Sequence, residues 1–320
     1  MTSHTDFSHD HHNRNLLEGQ PGSSGQPLAT PVPIPAVNWH CWAACNMVCR
    51  FCFTHFGRQG IGDGTQLTRA DMMRLAPVLG SAFPKLNFAG GEPTLCPWLT
   101  DLVAGAAAAG AVTSVVSNGS RLDRTLLDAL AASRLGWLCL SVDSVNAEVN
   151  LAHGRAVGGR SAIDCERLLL IAELARERGI RIKLNTVITT KNWEEDLAPF
   201  ITAFRPERWK ILRLLPMLGE NDACLGSLLP SAEQFASYRA RHQPLAGLGI
   251  DIVGEDHEDM RGSYLMIDPA GRFYDSIDGH LRVAPKGILD VGLEAALVEA
   301  RYNVEGFHRR GGLWAWGQGA

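Results

Sequence analysis

From Ala36 to about residue 245 the chain alternates short apolar runs with longer stretches of helical periodicity, six times over. That rhythm dictates parallel strands, because each strand must cross back through a helix before the next can pair beside it. The runs place strands near 36–40, 86–88, 112–116, 138–142, 182–187 and 209–214. Helices are predicted near 68–78, 97–109, 123–132, 162–178, 193–204 and 231–241, the last opened by a capping box of Ser231 and Gln234. Six βα units are too few for a closed eight-unit barrel. The fold class is therefore α/β: a partial (βα)6, TIM-like barrel over 36–245, with a mouth wide enough for a large substrate. Past residue 246 the rhythm breaks into strand-like pieces around turns such as Asp268-Pro269-Ala270-Gly271, which reads as a C-terminal extension over 246–320 folded onto the barrel. Residues 1–35 are rich in Gly, Ser, Pro and His and bury too little to offset their ordering entropy, so a disordered tail is expected there. His4, His9, His11 and His12 belong to that tail and are read as flexible polar sequence.

A formal net charge of −4 gives no reason to expect binding to nucleic acid or to an anionic membrane. No run of 18 apolar residues occurs, and the first 35 residues lack the apolar centre of a signal peptide, so a cytoplasmic protein without a membrane segment is expected. Four of the eight cysteines fall between positions 41 and 52 and the rest are scattered, which suits a reduced compartment with one clustered site.

That cluster is Cys45-Asn-Met-Val-Cys49-Arg-Phe-Cys52, directly after the first strand. A zinc site would need a fourth ligand, for which Cys41 or His55 stands near, and purely structural thiols are the other plain reading. Position favours an iron–sulfur cluster over both, since barrel enzymes carry their sites in loops after strand ends. Three thiolates suit a [4Fe–4S] cluster with one iron left open. Asn87-Phe88-Ala89-Gly90-Gly91-Glu92-Pro93 closes the second strand, and its paired glycines let backbone approach a ligand. Ser117-Asn118-Gly119 and Ser141-Val142-Asp143 end the third and fourth strands, and Arg155 suits a carboxylate through paired hydrogen bonds.

Together these segments resemble the radical S-adenosylmethionine (SAM) superfamily. The resemblance implies that the open iron chelates SAM and that an electron from the cluster cleaves it to methionine and a 5′-deoxyadenosyl radical. It places Cys45, Cys49 and Cys52 on the cluster, and Phe51, Gly90, Gly91, Glu92, Asn118, Ser141 and Arg155 around SAM.

Nearly everything from Asn38 to Trp316 resembles, within that superfamily, the viperin family, through CNMVCRFCF, LNFAGGEPTL, VVSNGS, NLAHGR, KLNTVI, RPERWK, GEN, SYLMID, GILDVG and RRGG. The resemblance implies dehydration of a nucleoside triphosphate (CTP, UTP or GTP, with a pyrimidine favoured) to its 3′-deoxy-3′,4′-didehydro form, a chain terminator in antiviral defence. The radical takes the ribose 4′ hydrogen, the 3′-hydroxyl leaves as water, and a further electron and proton close the shell. An unidentified one-electron donor of flavodoxin or ferredoxin type is implied as partner. Such a substrate carries about four negative charges and needs converging cations. Lys85, Lys183, Arg208 and Lys210 lie on strands at alternate positions and are costly to bury without an anion. The resemblance adds Lys286 as a phosphate contact, with Arg309 and Arg310 in support, Asn38 and Asn185 near ribose or base, and Tyr264 as proton donor or relay. Vertebrate members carry an amphipathic membrane helix that the tail here lacks. Rival readings are a peptide-modifying radical SAM enzyme, disfavoured because no cysteine follows Cys224 to bind an auxiliary cluster, and a non-catalytic metal- or nucleotide-binding module.

Overall fold

Alternation along the fifth strand reveals how the sheet is used. Ile182, Leu184, Thr186 and Ile188 are buried, whereas Arg181, Lys183, Asn185 and Val187 between them stay partly open. A parallel sheet packed by helices on both faces would be apolar throughout. Here one face takes helices and the other lines a polar interior.

The structure, a computed structural model, describes residues 34–56 and 65–316. The tail read over 1–35 lies outside the described residues apart from Ile34 and Pro35. The chain runs β1 (Ala36–Trp42), α1 (Arg69–Ala82), β2 (Lys85–Gly90), α2 (Leu99–Ala108), β3 (Val112–Ser117), α3 (Arg124–Ala132) and β4 (Trp137–Ser141). Next come α4 (Ala147–Ala152), α5 (Cys165–Glu177), β5 (Arg181–Ile188), α6 (Ala198–Phe204), β6 (Arg208–Arg213), α7 (Asp222–Leu228), α8 (Ala232–His242) and β7 (Asp251–Glu255). The remainder is α9 (His257–Met260), β8 (Met266–Ile267), β9 (Phe273–Asp275), β10 (Arg282–Val283), α10 (Ile288–Val291), α11 (Leu293–Glu299) and α12 (Val304–Arg309). Ser231 caps α8 through the expected box with Gln234.

All six expected strands form and pair in parallel, in sequence order. The sheet extends further than the six-unit reading, to ten strands ordered β10-β9-β8-β1-β2-β3-β4-β5-β6-β7. β7 continues the parallel series on β6, with α8 as its crossover. Its apolar run is short and interrupted by Asp251, which pairs with Arg208 across the ladder, so periodicity alone read it as part of the extension.

The ladder order is open, yet the sheet curls back on itself. Tyr264, just before β8, donates its hydroxyl to Glu255 at the end of β7 and accepts from Lys210 Nζ at 2.8 Å. In a flat sheet β8 and the β7 edge, seven strands apart, would stand roughly 30 Å from each other. The sheet is therefore curled into a partial barrel whose gap is bridged by side chains. Outside it the helices bury a continuous apolar core that includes Leu75, Leu79, Leu102, Leu127, Ile171 and Phe204. Among the described residues no helix is long and apolar enough to cross a membrane.

Candidate active site

The chain leaves β1 at Trp42 and enters the three-cysteine loop at the C-terminal end of the sheet, where three neighbouring loops brace it. The turn after β2 is zipped to its entry: Gly91 N–H donates to the Trp42 carbonyl at 2.7 Å and Glu92 N–H to that of Ala44 at 2.9 Å. A Cβ on Gly91 would lie 2.5 Å from the Ala44 carbonyl oxygen, and Gly90 sits at φ +154°, so only glycines allow the approach. The loop after α4 holds the middle, with Val48 N–H on the Gly154 carbonyl (3.1 Å) and Arg50 N–H on that of His153 (2.8 Å). Gly154, at φ +72°, would drive a Cβ into the Val48 carbonyl. The Gly-Glu-Asn turn before α7 holds the exit: Asn221 Nδ2 donates to the Phe51 carbonyl at 3.2 Å, and Glu220 accepts from His55 N–H at 2.6 Å.

Burial dominates the chemistry of the thiols, pushing Cys49 up to about 11 and Cys52 to about 12, partly offset at Cys49 by Arg155, whose Nη1 is 4.0 Å from Sγ. Buried thiols of this kind become thiolates only beside strong positive charge. Three thiols on one loop fit a [4Fe–4S] cluster, which supplies that charge and keeps one iron free of protein. Cys41, one of the two candidates for a fourth ligand, is fully buried on β1 and donates to the Ala89 carbonyl at 3.5 Å.

The strand-end residues read around SAM do come together, but several are already engaged. Met47, Asn118, Ser141, Ser144, Asn150 and Arg155 line one open cleft beside the loop. Asn118 Nδ2 donates to Asn46 of the cysteine loop at 2.9 Å. Arg155 pairs with buried Asp143 at 3.0 Å and donates to the Ser141 carbonyl, which commits part of its fork within the protein. Glu92 is wholly buried and accepts from Thr94 Oγ1 (2.6 Å), Ser117 Oγ (2.8 Å) and Asn118 N–H (2.7 Å), so its carboxylate staples the β2 turn to the end of β3. Phe51 packs edge-on against His153, 5.2 Å between centroids, in a small cluster with Leu214, Cys224, Leu225 and Leu228.

Deeper in the barrel the expected cations converge. Lys85 opens β2 and is 97% buried by area; its Nζ lies 4.0 Å from the Trp314 ring centroid and 5.2 Å from that of Trp137, and has no hydrogen-bond partner. Burial, then the charge of Lys183, lowers its amine to about 6. Arg208 opens β6, pairs with Asp251, donates to the Gly311 carbonyl at 2.7 Å and stands over the same Trp314 ring at 4.8 Å. Lys210 pairs with fully buried Glu255, which also faces Arg310 at 3.5 Å. Arg310 lies 3.8 Å over the Tyr264 ring. Burial alone would raise the Glu255 carboxyl, but Lys210 and Arg310 hold it down at about 2. Asn38 and Asn87 are register partners joined at 3.1 Å, and Asn185 lies on the luminal face of β5 with its Oδ1 buried and unpartnered.

Lys286 is exposed, just ahead of α10, which packs against α1. Arg310 is buried beside Glu255, and Arg309 lies on the surface. Sequence reasoning missed Glu255, Asp251 and the Trp137–Trp314 floor, because each acts through partners distant along the chain. A further buried pair, His40 Nδ1 with the Tyr274 hydroxyl, lies between β1 and β9.

Residues 40–202 match the family described as the Radical SAM superfamily. A protein of Flammeovirga pacifica named S-adenosylmethionine-dependent nucleotide dehydratase is 37% identical over 288 residues, covering 88% of this chain and 96% of its own. The chain belongs to this family. A Danio rerio member with the same descriptive name is 34% identical over 308 residues, covering 93% and 81%. Streptococcus suis SuiB bound to S-adenosylmethionine shares the fold at 15% identity, with a TM-score of 0.59 over 75% of this chain and 60% of its own. The protein is thus a radical SAM enzyme with SAM and a [4Fe–4S] cluster as cofactors, as the resemblance to the viperin family implied. For a radical SAM enzyme, the split of the interior into a cysteine loop at one end of the strands and buried cations toward the other gives two adjoining compartments.

Proposed function

We propose that the protein dehydrates a nucleoside triphosphate to its 3′-deoxy-3′,4′-didehydro form, with the cluster on Cys45, Cys49 and Cys52. The observation that carries this reading is a set of buried polar atoms without partners on the luminal strands: Lys85 Nζ, Ser114 Oγ, Asn185 Oδ1 and Arg208 Nε. Leaving such groups unsatisfied costs free energy that a bound polyanion recovers. The names of the relatives supply the nucleotide.

Bound together, the cluster and SAM supply a hydrogen-abstracting radical. The rest is the work of this chain's side chains. Lys85 and Arg208 occupy the first positions of β2 and β6, whereas Gly91, Asn118 and Ser141 sit at or beyond the opposite strand ends. Lys85 to Gly90 spans five steps of about 3.3 Å, so the triphosphate lies toward the strand starts and the ribose toward the cysteine loop. Lys85, Lys183, Arg208, Lys210 and Arg310 neutralise the phosphates. Asn38 and Asn185, between the two compartments, orient ribose or base. Tyr264, whose hydroxyl donates to Glu255 and accepts from Lys210, serves as proton donor or relay for the leaving 3′-hydroxyl, a role these two hydrogen-bonding partners support. A one-electron protein donor of flavodoxin or ferredoxin type completes the reaction.

The test is anaerobic reconstitution with dithionite and SAM, following 5′-deoxyadenosine with CTP, UTP, GTP or ATP, with the matching nucleosides, and with none. Stimulation by one triphosphate but not by its nucleoside supports the assignment. Equal SAM cleavage under all conditions leaves the superfamily intact and removes the nucleotide.

A further inference from the structure

Glu255 enters the reading so far only as the acceptor of the Tyr264 hydroxyl, yet two cations from separate elements converge on it. It is fully buried, pairs with Lys210 from β6, faces Arg310 from the end of α12 at 3.5 Å, and accepts the Tyr264 hydroxyl from the segment entering β8. An anion in the middle of a polyanion site opposes the ligand by simple Coulomb repulsion. Its position therefore calls for a compensating role.

We infer that Glu255 is a positioning residue that keeps Lys210 charged and aimed while the triphosphate site is empty. The inference rests on the nucleotide reading above and deepens it. Lys210 is buried among like charges: Lys183 faces it from β5, Lys85 from β2 and Arg310 from the end of α12, and Arg208 precedes it on its own strand. Tyr264 accepts its hydrogen bond, and Cys139 lies nearby on β4. Glu255 is the sole carboxylate among the described residues that pairs with Lys210. Desolvation already drives Lys210 well below an ordinary lysine, and Glu255 is the largest opposing influence. Without that carboxylate the amine sheds its proton as pH rises, and a neutral amine attracts phosphate weakly. Arg310 and Tyr264 lose the same anchor. The carboxylate thus trades some repulsion of the ligand for a lysine that is charged before the ligand arrives.

The test uses anaerobically reconstituted, SAM-bound protein and measures the Kd of the stimulating triphosphate from pH 6 to 8.5. For Glu255→Gln relative to the unaltered protein, the expected loss is about twofold at pH 6 and at least about tenfold at pH 8.5. Tighter binding at every pH overturns the inference, because Glu255 would then be only a repulsive charge. A loss of constant size across pH also overturns it, because that is a packing effect. Lys210→Arg gives a second reading that does not depend on the Gln variant folding. Since the arrangement already keeps Lys210 charged, Lys210→Arg should leave the pH dependence of Kd unchanged; a flatter profile contradicts the inference. If the unaltered protein binds no triphosphate at all, the nucleotide reading itself fails, and that outcome is visible before any variant is made.

Discussion

Lys85 shows how a single residue can be costly to the fold and useful to the site. Its amine, lowered to about 6 by burial and like charge, is mostly neutral in the empty protein at pH 7. The folded value lies below the unfolded one, so the unfolded chain binds more protons between them; the cost is full below pH 6 and gone above the ordinary lysine range. Lys85→Met should therefore raise the melting temperature at pH 7 by about 3 °C or more, the shift that roughly 1 kcal/mol gives in a domain of this size, with a smaller gain at pH 9. The same variant should bind triphosphate at least about tenfold more weakly, so stability and affinity move in opposite directions. A melting temperature that falls would mean that the Trp314 contact outweighs desolvation. Gly90 and Gly91 were singled out for the approach of backbone to a ligand; what the structure shows beside them is the Trp42 and Ala44 carbonyls, a close approach within the protein. Glu92 was read as a residue beside SAM, and the structure adds that its carboxylate accepts from Thr94, Ser117 and Asn118, the last two distant enough along the chain to escape local reading.

At the scale of elements, the cysteine loop owes its shape to three other loops. Gly154 is its most exacting brace, since a side chain there needs a left-handed backbone and displaces the Val48 carbonyl. Gly154→Ala should cost about 2 kcal/mol or more locally and lower the iron bound per chain after reconstitution. Full iron content in that variant would show that the loop is not held this way. The C-terminal stretch behaves as a floor: Trp137 Nε1 donates to the Trp316 carbonyl at 3.0 Å, and Trp314 covers Lys85 and Arg208. Trp314→Ala should cost about 1–2 kcal/mol, less than a fully buried tryptophan. It also admits water to Lys85, whose amine then climbs toward its ordinary value. Triphosphate binding at pH 7.5 should accordingly take up a proton in the unaltered protein and little in the variant, as calorimetry in buffers of different ionisation enthalpy reports. Equal uptake in both would place the titrating group elsewhere.

For the whole molecule, the parallel architecture was legible because period-two runs and helical stretches are local signals. All six expected strands form, and the cations on β2, β5 and β6 face one interior as their alternation required. The seventh parallel strand was obscured by Asp251, and the closure of the barrel by Tyr264, Lys210 and Glu255 was beyond local reading, since it joins strands seven apart in the sheet. The surroundings of Lys286 were equally beyond local reading: its motif is local, but the helix it introduces packs against α1. On the proposed function, the curled sheet provides one interior with a radical-generating end and a phosphate-holding end. The most direct measurement of that claim supplies the stimulating triphosphate with deuterium at the ribose 4′ position, then weighs both products. The account requires the label in 5′-deoxyadenosine and a nucleotide lighter by one water. Deuterium retained in the nucleotide, or label transfer without loss of water, would contradict it.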